Sequence, residues 1–376
     1  MRPLAQPPAM PDGTKVLHIG LPKTGTTALQ MALHQGRARL AEQGVFNAAP
    51  NRHPYLAARF AAGNPLPYGA RLAETGWERV SRRFRESTAR ATVLSSEAFA
   101  SASEERARAI VDQLGGEVYV VVTLRALAAQ FRSRWQQSFV TGGRRTFDKW
   151  VTALMNDEER LHRIGPGAAL DAWAPIVGEE RILFMISDPR DRETLFRRFE
   201  TLLGVTGGTL EMPHIDNAAL SASGSEFLRQ LNRLETARRD DPTSARAEIL
   251  RRGAWQVQHL QGLRRDPVRV PRWAAEHGNE IASGWIAQLQ ESSTAVVGRP
   301  EDLLVKLDGL PEQVVTPEKI DVVEAARFGL ALYEAAVRYY EKAERRRPED
   351  LPTRELLSIL RARAARRLSG RGTSGT

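Results

Sequence analysis

The chain has 376 residues, of which 54 are basic and 45 acidic, giving a formal net charge of +9. Hydrophobic residues make up 42% and charged residues 26%, a balance that supports a sizeable core and excludes disorder of the whole chain. The absence of cysteine excludes disulfides, thiolate catalysis and cysteine-ligated metals, and we expect a cytoplasmic protein. The apolar segments are far shorter than the ~20 residues of a spanning helix, so no transmembrane segment is expected.

Apolar runs alternate with amphipathic segments through the first half of the chain. Residues 1–14 are predicted to form a flexible tail. Each of the four predicted strands that follow leads into a predicted helix: strand 15–20 with helix 26–42, strand 92–95 with helix 103–114, strand 117–124 with helix 127–139, and strand 181–186 with helix 192–203. This alternation predicts an α/β protein with three layers, α/β/α, around a central parallel sheet.

The second half of the chain reads as long helices rich in arginine, alanine and leucine. We therefore expect an α/β core over residues 15–216, a helical extension over 217–345 and a basic helix with a polar tail over 346–376. Two short strands are predicted near residues 296–297 and 303–307. The segment 48–70, rich in Pro, Gly and Asn, fits either an insertion that shapes a substrate pocket or a surface loop with a short helix.

The turn after the first strand reads GLPKTGTT over residues 20–27. A glycine-rich turn that leads into a helix presents free backbone N–H groups and the positive end of the helix dipole, which together bind oxyanions. Lys23 is one of only six lysines among 54 basic residues, so its presence in this turn favours an ammonium donor. The nucleotide-triphosphate loop GxxxxGK[ST] requires lysine where this chain has Thr26, which argues against ATP or GTP hydrolysis.

A second pair of polar residues follows the strand EVYVVVTL. Arg125 comes directly after this strand, and Ser133 lies eight residues further on, about two turns into the next helix. The carboxyl ends of parallel strands are where open α/β sheets bind ligands. Taken alone, an arginine and a serine at such a junction more often have a structural role.

Taken together, LPKTGTT and TLR-x7-S-x-W resemble the two cofactor signatures of the sulfotransferases that use 3′-phosphoadenosine-5′-phosphosulfate (PAPS). The resemblance covers roughly residues 15–216 and implies a fold of the nucleoside-kinase P-loop type. It also implies that the first motif holds the 5′-phosphosulfate and that Arg125 and Ser133 hold the 3′-phosphate. The residues that match the first motif are Pro22, Lys23, Thr24, Gly25, Thr26 and Thr27.

The resemblance implies transfer of a sulfuryl group from PAPS to a hydroxyl or amine acceptor, with a carbohydrate or glycolipid expected. Lys23 would stabilise charge on the leaving phosphate, and no metal is expected. The candidate bases are Glu97, which also fits a carboxylate at a helix start, and His53 in the 48–70 segment. Nucleic acid is not an expected partner, and a lipid-linked acceptor would add a peripheral membrane contact. Nothing in the sequence points to a particular oligomeric state.

Two other functions fit the same residues. One is a P-loop kinase or NTPase, which Thr26 in the lysine position opposes. The other is a non-catalytic protein that binds an adenine nucleotide through the loop and has no base.

Overall fold

The computed structural model describes residues 1–21, 23–52, 54–66, 69–213, 220–236, 245–258 and 267–344. The chain divides into two compact units. The first contains Met1–Trp135, Arg145–Asn217 and Val268–Val315, and the second contains Gln136–Arg144, Ala218–Pro267 and Thr316–Thr376.

A seven-stranded sheet organises the first unit. Its strands are β1 (Arg2–Leu4), β2 (Thr14–Gly20), β3 (Val45–Asn47), β4 (Ala91–Ser95), β5 (Val118–Leu124), β6 (Ile182–Ile186) and β7 (Ala295–Val297). They lie in the order β1-β7-β6-β5-β2-β4-β3, and every neighbouring pair is parallel.

The described residues of the two units also form helices. They are α1 (Thr26–Gln35), α2 (Arg37–Glu42), α3 (Tyr55–Ala61), α4 (Ala70–Arg85), α5 (Glu104–Leu114), α6 (Leu127–Ser138), α7 (Phe147–Met155), α8 (Glu158–Arg163), α9 (Pro166–Val177), α10 (Thr194–Leu203), α11 (Ala222–Thr236), α12 (Ala245–Gln258), α13 (Arg272–Glu291) and α14 (Val322–Glu344).

Both faces of the sheet are covered because the strands are apolar on both sides. Successive side chains of a strand point to opposite faces, so Val120 and Val122 of β5 pack on one side and Val121 on the other. The first side is covered by α3, α4, α5, α9 and α13, and the second by α1, α2 and α10. The predicted three-layer α/β/α class with a central parallel sheet is therefore confirmed.

The four strand-and-helix pairs predicted along the chain are present, with one interruption. The predicted helix 26–42 is divided into α1 and α2 at Gly36, whose N–H donates to the Ala32 carbonyl and ends the first helix. The interruption lies at the C-terminal end of α1, so the turn over residues 20–27 still leads directly into a helix.

The first residues differ from the predicted flexible tail. Arg2–Leu4 forms strand β1, which pairs with β7 at the edge of the sheet. The Arg2 N–H donates to the Thr294 carbonyl at 2.8 Å, and the Met10 N–H donates to the Leu202 carbonyl at 3.0 Å. The prolines suggested a tail, but an edge strand needs hydrogen bonds on one side only and therefore tolerates proline.

The predicted boundary at residue 217 is also corrected, because β7 and α13 belong to the first unit and complete its sheet and one helical layer. The strand predicted over 296–297 is β7. The strand predicted over 303–307 is wrong, since Pro300–Leu303 forms a 3-10 turn and no strand follows it. The predicted basic helix and tail over 346–376 lie outside the described residues.

The described part of the second unit contains α11, α12 and α14. The Phe227 ring of α11 packs on the Phe328 ring of α14, with centroids 5.1 Å apart. The Ser221 and Ser223 hydroxyls both donate to the Glu324 carboxylate at the start of α14. These contacts give the unit its own small core.

The segment 48–70 contains α3, whose residues Ala57, Ala58 and Ala61 are buried in the core on one face of the sheet; the role of this segment in shaping a substrate pocket stays a prediction. Strand β3 and helix α4 were not predicted. At three residues, β3 is too short to show an alternating pattern.

Removal of residues 1–9, leaving a chain that starts at Met10, tests the N-terminal strand. We expect the urea midpoint to fall by an amount equivalent to about 2–4 kcal/mol, because β7 loses its backbone partner and becomes an exposed edge. Equilibrium unfolding in urea measures the change. Arg2→Ser, which alters an exposed side chain and keeps the strand, should leave the midpoint unchanged; an unchanged midpoint after the deletion would mean that this segment is a tail.

Candidate active site

Three loops meet at the carboxyl edge of the sheet because β2 lies between β4 and β5. The registers pair His18 with Ser95 and Gly20 with Thr123, so the three strands end close together. After β2 the chain forms β3 and β4 on one side of β2 and then crosses over to form β5 on its other side. The strand order therefore reverses at β2, which makes β2 a topological switch point. Ligands of open α/β sheets bind in the crevice at such a point.

The turn after β2 has an unusual backbone. Lys23 has a φ of 73°, and it is the one non-glycine residue with positive φ in the part of the chain that the structure describes. The Thr24 N–H and hydroxyl both approach the Leu21 carbonyl, at 3.2 and 2.6 Å, which closes the turn around Lys23. A side chain in the left-handed region costs about 1–2 kcal/mol, and such strain concentrates at functional sites.

The end of the turn directs the backbone N–H groups at the start of α1 outward. Gly25, with a φ of 98°, precedes α1, and no side chain among the described residues caps this helix. The N–H groups at the start of an α-helix have no partner within the helix, and the dipole adds positive potential there. Thr26 is buried while Thr27 is exposed, so the Thr27 hydroxyl is accessible beside these donors.

Gly20 is required by the path of α1 over the end of β2. A Cβ atom on Gly20 would lie 1.7 Å from Oγ1 of Thr26. No rotation relieves a contact that short, because the Thr26 Cβ would also be only 2.6 Å away. The glycine therefore allows the first turn of the helix to pack directly on the strand.

Lys23 and Glu97 interact across the ends of β2 and β4. Glu97 begins the 3-10 turn after β4 and is half-buried, and burial raises the pKa of its carboxyl above the usual value. The positive charges of Lys23 and Arg134 oppose that rise. Burial lowers the pKa of the Lys23 ammonium, while Glu97 raises it and Arg134 lowers it further. The three charges thus form one electrostatic group.

Arg125 lies at the end of β5, next to the turn. Its Nη1 donates to the Lys23 carbonyl at 3.3 Å, so the residues that the sequence placed in two separate motifs are in contact. The guanidinium remains solvent-accessible, yet the protein around it lowers its pKa, and Arg192 and Arg132 lower it further. Three like charges gathered in this way favour an anionic ligand.

Ser133 lies one helical turn after Gln130 on α6. Its hydroxyl donates to the Gln130 carbonyl at 2.9 Å. The Gln130 side chain donates to the Arg125 carbonyl at 2.8 Å and accepts from Nε of Arg134 at 2.9 Å. Gln130 therefore ties the end of β5 to α6 and fixes the guanidinium of Arg134 near Glu97.

Gln130, Arg134 and Arg192 were not among the predicted site residues. Arg134 is surrounded by protein, which together with Arg160 lowers its pKa to about 10, against the opposing effect of Glu97. Arg134 follows Ser133 directly, so its position beside the second motif was a usable signal. Among 48 arginines, however, an arginine in a helix carries little information by itself.

Two residues of the predicted site, Pro22 and His53, lie outside the described residues. The structure brings seven of the others to the carboxyl edge of β4, β2 and β5, and Ser133 lies about two turns into α6. The seven are Lys23, Thr24, Gly25, Thr26, Thr27, Glu97 and Arg125.

Asp188, two residues after β6, is paired with a basic residue of the protein itself. Its two carboxylate oxygens accept from Nε and Nη2 of Arg190 at 2.8 and 2.9 Å, and this pairing lowers its pKa to about 2. Within the described ranges, no group of three or more His, Asp or Glu side chains is arranged to hold a metal ion.

Comparison of the chain with protein-family models, curated proteins and solved structures gave no match. Among the residues that the structure describes, no helix has both the length and the apolar character needed to cross a membrane.

Two substitutions of Lys23 separate its backbone strain from its charge. Lys23→Gly should be more stable than Lys23→Ala by about 1 kcal/mol, because glycine adopts the positive φ without a steric penalty while both variants lose the ammonium. The same pair at Lys149, inside α7, should show the opposite order, since glycine is unfavourable in a helix by about 1 kcal/mol. Urea unfolding measures both differences; a Lys23→Gly variant less stable than Lys23→Ala would contradict the positive φ.

Proposed function

We propose that this protein is a sulfotransferase that moves a sulfuryl group from PAPS to a hydroxyl or amine acceptor. The observation that carries the proposal is the contact between the two motifs, in which Nη1 of Arg125 donates to the Lys23 carbonyl at 3.3 Å. It joins the turn before α1 to a second positively charged position on the neighbouring strand. A ligand that carries anionic groups at two ends is complementary to this arrangement.

The residues present fit such a donor. The helix N-terminus with Gly25, Thr26 and Thr27 would hold the 5′-phosphate through backbone N–H groups and the Thr27 hydroxyl. Arg125 would hold the 3′-phosphate, and the Ser133 hydroxyl would redirect its hydrogen bond from the Gln130 carbonyl to the same group. When bound, PAPS supplies the activated sulfuryl group.

The charged residues of the site have separate roles in this proposal. Lys23, held at the end of the turn, would offset negative charge on the leaving phosphate. Glu97 would accept the proton of the acceptor hydroxyl, and its raised pKa makes it a stronger base than an exposed carboxylate. Arg134 would keep Glu97 ionised in spite of its burial.

The proposed acceptor is a carbohydrate or glycolipid. A carboxylate base beside the anion-binding turn suits an alcohol, whose proton must be removed as its oxygen attacks the sulfur. His53 is the alternative base. A protein that binds the nucleotide without transferring the sulfuryl group would share Lys23 and Arg125 and would lack the role of Glu97.

Thermal unfolding with nucleotides tests the donor. Adenosine 3′,5′-bisphosphate at 100 times its Kd should stabilise the protein by about 2.7 kcal/mol. ADP and ATP–Mg²⁺ should each stabilise it less, because neither carries the 3′-phosphate that Arg125 and Ser133 would hold. Lys23→Ala should reduce the shift, and Lys149→Ala, which removes an exposed lysine elsewhere, should retain it. Stabilisation by ATP–Mg²⁺ without stabilisation by the bisphosphate would favour a kinase or NTPase and refute the proposal.

The titration of Glu97 tests the base. Its carboxyl should titrate above the usual value of 4.5, and Arg134→Gln should move the midpoint higher still, because a positive charge that favours the carboxylate is removed. In the Arg134→Gln variant Glu97 therefore takes up its proton at a higher pH, and the fraction of Glu97 that is ionised at a given pH falls. Carbon-13 NMR of labelled glutamate, assigned with Glu97→Gln, measures the midpoint.

Arg108→Gln provides the control for this titration. Arg108 is an arginine of α5 whose partner is Glu104, at 3.0 Å, and it does not act on Glu97. Its removal should leave the Glu97 midpoint in place. A downward movement of the midpoint in Arg134→Gln would show that Arg134 does not stabilise the ionised form.

A further inference from the structure

A buried histidine lies directly beneath the turn that carries Lys23. His18 of β2 is fully buried between the flanking strands, with Nδ1 2.8 Å from the Ser95 hydroxyl of β4 and Nε2 3.3 Å from the Thr123 hydroxyl of β5. Its ring packs edge-on against Phe199, with centroids 5.0 Å apart. Burial lowers its pKa to about 3, so the imidazole is neutral at physiological pH.

Two further hydrogen bonds continue from this histidine to the turn. The Thr123 hydroxyl lies 2.7 Å from the Thr24 hydroxyl, and the Thr24 hydroxyl donates to the Leu21 carbonyl at 2.6 Å. All five groups, from Ser95 to the Leu21 carbonyl, belong to residues that are fully or almost fully buried. Water is therefore a poor substitute for any of these bonds.

The direction of every bond in this chain follows from counting protons. Thr24 has one hydroxyl proton and gives it to the Leu21 carbonyl, so Thr24 must accept from Thr123. Thr123 has then used its own proton and must accept from Nε2–H of His18. A neutral imidazole carries one proton, so Nδ1 is bare and accepts from the Ser95 hydroxyl. One arrangement satisfies all four bonds.

We propose that this directed chain, Ser95 to His18 to Thr123 to Thr24 to the Leu21 carbonyl, is the device that holds Lys23 in its left-handed conformation. The last two bonds fix both sides of the turn, since Leu21 and Thr24 flank the strained segment. His18, Thr123 and Ser95 are positioning residues, and they act on Lys23 through Thr24. The inference concerns the turn itself and holds whichever anion the turn binds.

The strain at Lys23 explains why such a device is needed. A lysine with positive φ would relax to a conformation of lower energy if the turn were free. The bonds at Thr24 oppose this relaxation, because breaking a buried hydrogen bond leaves its polar groups unsatisfied. Bonds between neutral buried groups also polarise one another, which strengthens a chain that is fully satisfied.

Amide hydrogen exchange of the turn tests the device without any ligand. In Thr123→Val the peptide that spans the turn and the first turn of α1 should exchange about fivefold faster, because Thr24 loses the bond that anchors it. Thr123→Ser keeps the hydroxyl and should exchange as the native protein does. Thr92→Val removes another buried threonine hydroxyl of the same sheet, bonded to Ser87 at 2.7 Å, and should leave the peptide unchanged.

A double variant tests whether Thr24 and Thr123 act on exchange through the hydrogen bond between them. Thr24→Val should also accelerate exchange. The double variant Thr24→Val/Thr123→Val should accelerate exchange by less than the product of the two single effects, because both single variants remove the same bond. Unchanged exchange in Thr123→Val, or equal acceleration in Thr92→Val, would overturn the proposal.

Nitrogen-15 NMR of His18 in the native protein provides a measurement that needs no variant. The chain requires a neutral ring protonated at Nε2 and bare at Nδ1, with the ring uncharged down to about pH 3. A ring protonated at Nδ1, or an imidazolium at neutral pH, would overturn the directed chain. Neither outcome depends on whether the protein binds adenosine 3′,5′-bisphosphate, so failure of this inference and failure of the proposed function are distinguishable.

Discussion

The placement of β2 between β4 and β5 is the constraint on which the site depends. Because all three strands are parallel and in register, the turn after β2, Glu97 after β4 and Arg125 after β5 emerge at one edge. The same neighbours allow His18 to reach Ser95 on one side and Thr123 on the other. The sheet thus brings together the charged residues on its edge and the hydrogen-bonded chain beneath them.

The charges at this edge of the sheet say more about the kind of ligand than the net charge of the whole chain does. The net charge of +9 includes arginines on helix surfaces that pair with acidic neighbours, such as Arg108 with Glu104 and Arg197 with Glu193. At the edge, by contrast, Lys23 and Arg134 both act on the half-buried carboxylate of Glu97, and Arg125 donates to the Lys23 carbonyl. Burial disfavours each of these charges, so an anionic ligand would relieve an excess of positive charge that the protein maintains at a cost in stability.

The parts of the fold that could be predicted are those with a local signal. Long apolar runs such as Val118–Leu124 and Ile182–Ile186 identify central parallel strands, because such strands are buried on both faces. The edge strands Arg2–Leu4 and Val45–Asn47 could not be recognised, since three residues show no period and their pairing is made by the backbone. Residues 268–315 were assigned to the wrong unit because their contacts with the sheet are distant in sequence.

The residues of the site also divide into those that a local sequence pattern predicts and those that it does not. Lys23 and Gly25 were recognisable because a glycine-rich turn between a strand and a helix is a local pattern. His18, Ser95 and Thr123 were not, because 105 positions separate His18 from Thr123 and each residue looks like an ordinary strand residue. Arg134 was obscured by composition and gained its meaning from the bond to Gln130 and the charge of Glu97.

Calorimetric titration with adenosine 3′,5′-bisphosphate and adenosine 5′-monophosphate tests whether the site binds a 3′-phosphate, because the two ligands differ only in that group. We expect the bisphosphate to bind at least about tenfold more tightly to the native protein, as expected for one charge-assisted contact. In Arg125→Ala most of this difference should disappear, while the affinity of the variant for the monophosphate should be little changed. Equal affinities of the native protein for the two ligands would refute the proposed binding of the 3′-phosphate.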